Sequence, residues 1–212
     1  MLFFSALRLT TVANATVIGS CQPLILLFIA GRIFGERPRR YDWVLAVVAM
    51  GGVAIVMFGS TGVQGWSLSG DLLSIATVVA WTLYFVFSKL STRKIEASQY
   101  TGATALICAL FATPFALASG QLFNMPSGNA WIWLFILSIG PGFTSHMLMN
   151  WALAHIPVWF GSTLTLAIPV TATVMAWVFL GEDVVALQFL GMVIVLFALG
   201  FIVIGQSNTA RR

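Results

Sequence analysis

One stretch of the chain places an imidazole and a carboxamide inside a long, mostly apolar run. In "FTSHMLMNWAL", His146 and Asn150 are four residues apart, so in a helix they share one face. A polar side chain without a hydrogen bond is costly in an apolar medium, so this face must meet polar groups or water. It either bonds a neighbouring helix or lines a cavity that binds a substrate. We favour the cavity, because ionisable residues inside membranes are usually functional.

A second polar face is predicted between residues 69 and 91. Trp81 and Tyr84 are three residues apart and would line the same cavity with aromatic rings, although Tyr84 is also placed as an interfacial tyrosine would be. Ser and Thr in membrane helices often bond their own backbone, so other polar residues carry less weight singly. The remaining candidate substrate-binding residues are Asn14, Ser162 and Thr165. Two prolines near the middle of apolar runs, Pro23 and Pro169, are predicted to bend their helices.

The composition identifies the elements that carry these residues. Hydrophobic residues make up 59% of the 212 residues, charged residues 8%, and the mean hydropathy is +0.98. Continuous apolar runs predict an all-α integral membrane protein with about seven transmembrane helices, and argue against a β-barrel. The predicted spans lie near residues 10–34, 41–59, 69–91, 98–119, 130–154, 157–180 and 185–205.

The basic residues predict the orientation of these spans. The net charge is +4, but all lysines and arginines except Arg8 follow alternate spans, so they indicate topology in a lipid bilayer and not nucleic-acid binding. We therefore expect a multi-pass protein of the cytoplasmic membrane with a cytoplasmic C-terminus. The residues on the predicted cytoplasmic side are Arg32, Arg37, Arg39, Arg40, Lys89, Arg93, Lys94, Arg211 and Arg212.

The chain contains an internal repeat. Residues 6–59 align without gaps on residues 152–205, at a shift of 146. The alignment pairs Pro23 with Pro169, and the pair Gly35-Glu36 with Gly181-Glu182. An odd number of spans separates the two copies, so the repeats are inverted across the membrane. Inverted repeats with helices broken near the midplane are typical of secondary transporters.

At these residues the chain resembles the EamA-type transporters of the drug/metabolite transporter superfamily. The doubled Pro and Gly-Glu pattern carries the resemblance, together with "GDLLSIATVVAWTLYFVFSKL" and "SHMLMNWAL". It implies a ten-helix fold of two inverted five-helix halves. Residues 1–62 would be the C-terminal part of the first repeat, from the end of helix three to helix five, and 69–206 the second repeat, helices six to ten. About three more apolar spans are then expected upstream of this sequence.

The resemblance implies efflux or exchange of small metabolites such as amino acids or their derivatives. The substrate would bind near the midplane between the repeats, without cofactor or metal. The alternative is a truncated or accessory membrane protein without transport activity of its own, and a homodimer is left open. An enzyme is not expected, because no nucleophile with a base, H-E-x-x-H or G-x-S-x-G pattern occurs. All six carboxylates fall at span ends or in loops, which argues weakly against a carboxylate-coupled symporter.

Overall fold

A computed structural model describes residues 2–61, 67–120 and 125–210. Within these ranges the backbone is helical, and the connections between helices are short. The α-helices are α1 (Leu2–Leu7), α2 (Val12–Gly19), α3 (Gln22–Phe34), α4 (Arg40–Thr61), α5 (Leu68–Ser91), α6 (Ala97–Ala118), α7 (Ala130–Leu137), α8 (Ser145–His155), α9 (Val158–Leu164), α10 (Ile168–Met175) and α11 (Ala186–Ala210).

Within the residues that the structure describes, seven helical segments are long and apolar enough to cross a membrane. They are Val12–Phe34, Arg40–Gly59, Leu68–Ser91, Ala97–Ala118, Ala130–His155, Val158–Leu180 and Ala186–Ser207. The predicted all-α class and the seven predicted spans are therefore confirmed. Four of the spans are single helices, namely α4, α5, α6 and α11. The other three are interrupted, which the continuous apolar runs did not indicate.

Two of the interruptions occupy equivalent positions in the repeat. α2 ends at Gly19 and α3 begins at Gln22, while the 3₁₀ segment Thr165–Ala167 separates α9 from α10. Residues 19–21 and 165–167 correspond at the shift of 146. Each interruption is followed by a proline, Pro23 or Pro169, in the first turn of the next helix. The absence of the proline N–H is tolerated there because the N–H groups of a first turn have no acceptor within their own helix.

The two repeats also end their helices alike. Gly35 and Gly181 both have φ 69°, a left-handed conformation that glycine adopts without strain. The following amide closes the same bond in each copy: Glu36 N donates to the Ala30 carbonyl and Glu182 N to the Ala176 carbonyl, both at 3.3 Å. The repeat therefore specifies a helix end as well as an apolar pattern.

Helices α4 and α11, which are equivalent in the repeat, pack against each other. A Cβ on Gly52 would lie 3.0 Å from the Gly191 carbonyl, so the backbones approach closely where both residues are glycine. Gly59 lies against Leu187, and Gly205 lies against Tyr41. Early residues of α4 thus meet late residues of α11, and the helices are antiparallel, which is the sense that an inverted repeat requires. The buried core residues that surround this contact include Val53, Val56, Val195 and Ala198.

The chain divides into two compact units. The first contains Met1–Tyr84 and Pro157–Arg212, and includes the α4–α11 pair. The second contains Phe85–Ile156: the end of α5, then α6, α7 and α8. Within the second unit α8 packs on α6 and continues α7 through a π-helical segment, Ser138–Thr144.

Candidate functional site

His146 and Asn150 lie on α8, directly after the π-helical segment. Pro141 is inside that segment, and the Thr144 hydroxyl donates to the Ile139 carbonyl, five residues back, at 2.7 Å. A π-helical turn widens the helix, and such turns are frequent at functional sites. His146 is half-buried in the first turn of α8, whereas Asn150, one turn later, is 0% exposed.

Asn150 holds three helices of the second unit together. Its Oδ1 accepts a hydrogen bond of 2.6 Å from the Ser88 hydroxyl on α5, and its Nδ2 donates to Thr101 Oγ1 on α6 at 2.9 Å. Thr101 Oγ1 in turn donates to the Ala97 carbonyl at 2.7 Å. All three side chains are buried. The carboxamide therefore bonds neighbouring helices, as the first interpretation of this face required.

Lys89 makes a further hydrogen bond between helices of the same unit. Its ammonium group donates to the carbonyl of Ile156, the C-cap residue that follows α8, and its side chain is 7% exposed. A cation at a helix C-terminus satisfies a free carbonyl and interacts favourably with the helix dipole. From the sequence, Lys89 was only a topology marker and Thr101 carried no signal, because hydroxyls in membrane helices usually bond their own backbone.

Trp81 and Tyr84, the predicted aromatic residues of the cavity, form a ring pair in the first unit. The rings of Trp81 and Tyr84 are stacked, with centroids 5.1 Å apart and planes 11° apart. Trp81 is 40% exposed and Tyr84 is half-buried. Together they form an apolar, polarisable ring pair on α5, of the kind that contacts aromatic or apolar groups.

The hydroxyl candidates of the second repeat are engaged with their own backbone. Ser162 Oγ donates to the Trp159 carbonyl at 2.8 Å, and Thr165 Oγ1 donates to the Ser162 carbonyl at 2.6 Å. Ser162 is buried and Thr165, which begins the 3₁₀ segment, is half-buried. Both hydroxyls keep acceptor capacity, since a hydroxyl has two lone pairs.

Asn14 belongs to a small polar cluster at the start of α2. Its Nδ2 lies 3.5 Å from Thr10 Oγ1, and the Thr10 hydroxyl donates to Asp71 Oδ1 at 2.8 Å. Asn14 is half-buried, and its backbone amide bonds the hydroxyl of Thr11, which caps α2. The cluster connects α2 to the first turn of α5.

Glu36 has a role that the sequence did not predict. Both of its carboxylate oxygens lie 2.9 Å from the backbone nitrogen of Val158, the first residue of α9. The preceding residue, Pro157, makes no side-chain cap, so the carboxylate serves as the cap of α9 and meets the positive end of its dipole. The repeated Gly-Glu pair was the available signal, but the sequence did not show what the glutamate contacts.

Cavities occur in the described part of both units. In the second unit a cavity of about 490 Å³ is lined by five residues of α8, including Trp151 and His155, and by residues 92 and 95–98 at and before the start of α6. His155 Nδ1 is 2.8 Å from the Trp151 carbonyl, one turn back. In the first unit a smaller cavity of about 190 Å³ includes Thr173, Glu182 and Asp183. Among the described residues, no three His, Cys, Asp or Glu side chains are grouped so as to hold a metal ion.

The helices and their apolar surfaces define a multi-pass membrane protein. The chain matches the EamA-like transporter family over residues 1–58 and 68–204. It belongs to this family, and the resemblance seen in the Pro and Gly-Glu motifs is confirmed.

Several individual proteins are similar to the chain. Two are uncharacterized transporters of Bacillus subtilis (strain 168). YetK is 24% identical over 88% of this chain, and YwfM is 27% identical over 97% of it. The aromatic amino acid exporter YddG of Ancylobacter novellus is 27% identical over 66% of this chain. The chain spans 58%, 69% and 48% of the lengths of these three relatives. One solved crystal structure has the same fold, with a TM-score of 0.76 at 23% identity, covering 93% of this chain and 70% of the other.

Proposed function

We propose that this chain takes part in the transport of small metabolites, amino acids or their derivatives, out of the cell or by exchange. The observation that carries the proposal is the pair of helix interruptions at equivalent repeat positions, in a chain of the EamA-like transporter family. Interrupted helices near the midplane are where secondary transporters bind substrate. We place the protein in the cytoplasmic membrane with its C-terminus in the cytoplasm, on the distribution of basic residues.

Aromatic amino acids are the first substrates to test. The relative named as an aromatic amino acid exporter supports this choice, as does the stacked pair Trp81 and Tyr84. A flat pair of rings contacts an aromatic side chain over a large area at little cost in side-chain entropy. In the same proposal His146 exchanges hydrogen bonds with the substrate, since imidazole both donates and accepts.

The other candidates act in a less direct way. Asn150 is bonded on both of its polar atoms, so we assign it the positioning of α8, and hence of His146. Ser162 and Thr165 offer their remaining lone pairs near the second interruption, and Asn14 contributes at the start of α2. Pro23 and Pro169 keep the interruptions open, because neither can donate the hydrogen bond that would close the helix.

The test is flux through sealed vesicles that contain the purified chain. We expect labelled L-phenylalanine or L-tryptophan to leave loaded proteoliposomes faster than it leaves protein-free ones. His146→Ala should lower this rate by about 3- to 10-fold, the value of one hydrogen bond, without removing the protein from the membrane. His155→Ala is the matched control, because that imidazole is exposed and its Nδ1 lies within hydrogen-bond distance of a backbone carbonyl of α8 itself. Unchanged flux in a well-inserted His146 variant would contradict the role of this residue.

The accessory-protein alternative makes the opposite prediction. A chain without transport activity of its own would give no flux above protein-free vesicles for any metabolite in a mixed amino-acid pool. Accelerated flux of a single component would exclude it.

A further inference from the structure

Gln22 is the first residue of α3, immediately after the helix interruption. It lies near the middle of the span Val12–Phe34, and its side chain is only 2% exposed. Its Nε2 has no hydrogen-bond partner, and it is the one buried side-chain nitrogen or oxygen for which this holds among the described residues. A donor group is thus enclosed in the protein near the centre of a membrane span.

An amide in this position needs an explanation. A buried donor left without an acceptor destabilises a protein, and native structures contain few of them. Lipid chains offer no acceptor, so the surrounding membrane does not resolve the deficit. Such a group calls for a specific explanation, either a functional role or a water or ion that accepts its hydrogen bond.

The turn itself does not require the amide. The repeat-equivalent of Gln22 is Ile168, which begins α10 directly before Pro169. The same interruption is therefore built with an apolar side chain in the second repeat. The glutamine is a feature of the first repeat alone, and backbone geometry gives no reason for it.

Backbone groups beside Gln22 also lack their usual helical hydrogen bonds. Pro23 has no N–H, so the Gly19 carbonyl lacks the donor that would come from four residues ahead. The amide of Leu24 instead bonds the Cys21 carbonyl, three residues back, at 3.1 Å. An uncompensated carboxamide thus stands next to freed backbone groups in a broken helix, the arrangement in which membrane transporters hold their ligands.

We propose that Gln22 is a ligand-binding residue, and that its Nε2 donates hydrogen bonds to an acceptor oxygen of an enclosed small molecule. The NH₂ group offers two donors, which suit a carboxylate or a carbonyl oxygen. The carboxylate of an amino acid has this chemistry. The inference rests on the proposed function and names a contact of the same binding event.

The test compares Gln22→Met with Gln188→Met, in the full chain purified in detergent. Methionine is close to glutamine in shape but has no amide. Gln188 is the matched control, because it is also buried, at 7% exposed, yet its Oε1 accepts the Val185 amide at 2.9 Å. Two quantities are measured for each variant: the Tm without ligand, and the Kd for L-phenylalanine.

We expect the two variants to respond in opposite ways. Gln22→Met should keep or raise the Tm, because it removes an unpaired donor, and should weaken L-phenylalanine binding by about tenfold or more. Gln188→Met should lower the Tm, since it removes a cap of α11, and should leave the Kd within about twofold of the native value.

Three outcomes would overturn the inference. A lower Tm for Gln22→Met would mean that the amide is already held by a permanent partner such as a buried water. Native affinity in Gln22→Met, in a chain that binds L-phenylalanine, would exclude the ligand contact and leave the proposed function intact. Failure of the native chain to bind L-phenylalanine would count against the substrate class proposed above, and against this inference with it.

Discussion

At the scale of single residues, hydrogen bonding separates buried side chains that hold the fold from buried side chains available to a ligand. The side chain of Asn150 lies between Ser88 and Thr101, and its oxygen and its nitrogen are both hydrogen-bonded. Gln22 is equally buried, but its Nε2 has no hydrogen-bond partner. Both are carboxamides in apolar spans. The composition of the surrounding sequence did not distinguish them, because the difference lies in what each one touches.

Replacement of Asn150 tests its structural role. Asn150→Leu removes two buried hydrogen bonds and leaves the Ser88 hydroxyl without its acceptor, so we expect a loss of about 1–3 kcal/mol in the free energy of unfolding. Denaturant unfolding in mixed micelles measures it. Asn14→Leu is the control, because Asn14 is half-buried and its side-chain contact is 3.5 Å long. Equal losses in the two variants would show that the buried hydrogen bonds of Asn150 add no more to the free energy of unfolding than the contact of Asn14 does.

At the scale of helices, the chain offers pairs of like residues in different surroundings. Glu36 caps α9 through Val158, whereas its equivalent Glu182 is exposed and, within the described part of the chain, its carboxylate accepts no hydrogen bond. Gly52 and Gly191 lie in the contact between α4 and α11, whereas Gly200 has no heavy atom within 4 Å of an added Cβ. The same residue type therefore carries different energetic weight in each pair.

The glutamate pair gives one prediction at this scale. Glu36→Gln keeps one acceptor oxygen but loses the charge at the N-terminus of α9, so we expect a stability loss of about 0.5–2 kcal/mol. Glu182→Gln should change stability by less than about 0.5 kcal/mol. Thermal unfolding of the two variants in the same detergent provides the comparison. A larger effect at Glu182 than at Glu36 would contradict the capping role.

The glycines of α11 give a second prediction at this scale. In Gly191→Ala the new Cβ would lie 2.7 Å from the Gly52 carbonyl, so α4 and α11 must move apart, at a cost of about 1–3 kcal/mol. Gly200→Ala, on the same helix, meets nothing and should be neutral or stabilising by up to about 1 kcal/mol, because alanine favours the helix. Unfolding by SDS titration compares the two variants. Equal stability would mean that the helices do not approach closely at Gly191.

At the scale of the whole molecule, the inverted repeat determines which turns face which side of the membrane. The turn at Gly35 is followed by Arg37, and the turn at Gly181 is followed by Asp183. An odd number of predicted spans separates the turns, so we expect them to lie on opposite faces of the membrane. The antiparallel packing of α4 and α11 has the sense that this inversion requires.

Cysteine labelling tests the inversion directly. In a background without Cys21 and Cys108, Arg37→Cys and Asp183→Cys each place one exposed thiol in a turn. A membrane-impermeant maleimide applied to intact cells should label Asp183→Cys, and should label Arg37→Cys only after the membrane is opened. Labelling of both from the same side would refute the inverted repeat, and the transport proposal with it.

The sequence by itself determined the helical class, the seven spans and the repeat with its paired prolines and glycines. These properties follow from local composition and spacing, since each span needs only its own length of apolar residues to cross lipid. Tertiary structure alone decided which polar groups meet. Asn150 bonds residues 62 and 49 positions away, and Glu36 bonds one 122 positions away. Such pairs depend on how helices pack, and a hydrogen bond is formed between neighbours in space regardless of their distance along the chain.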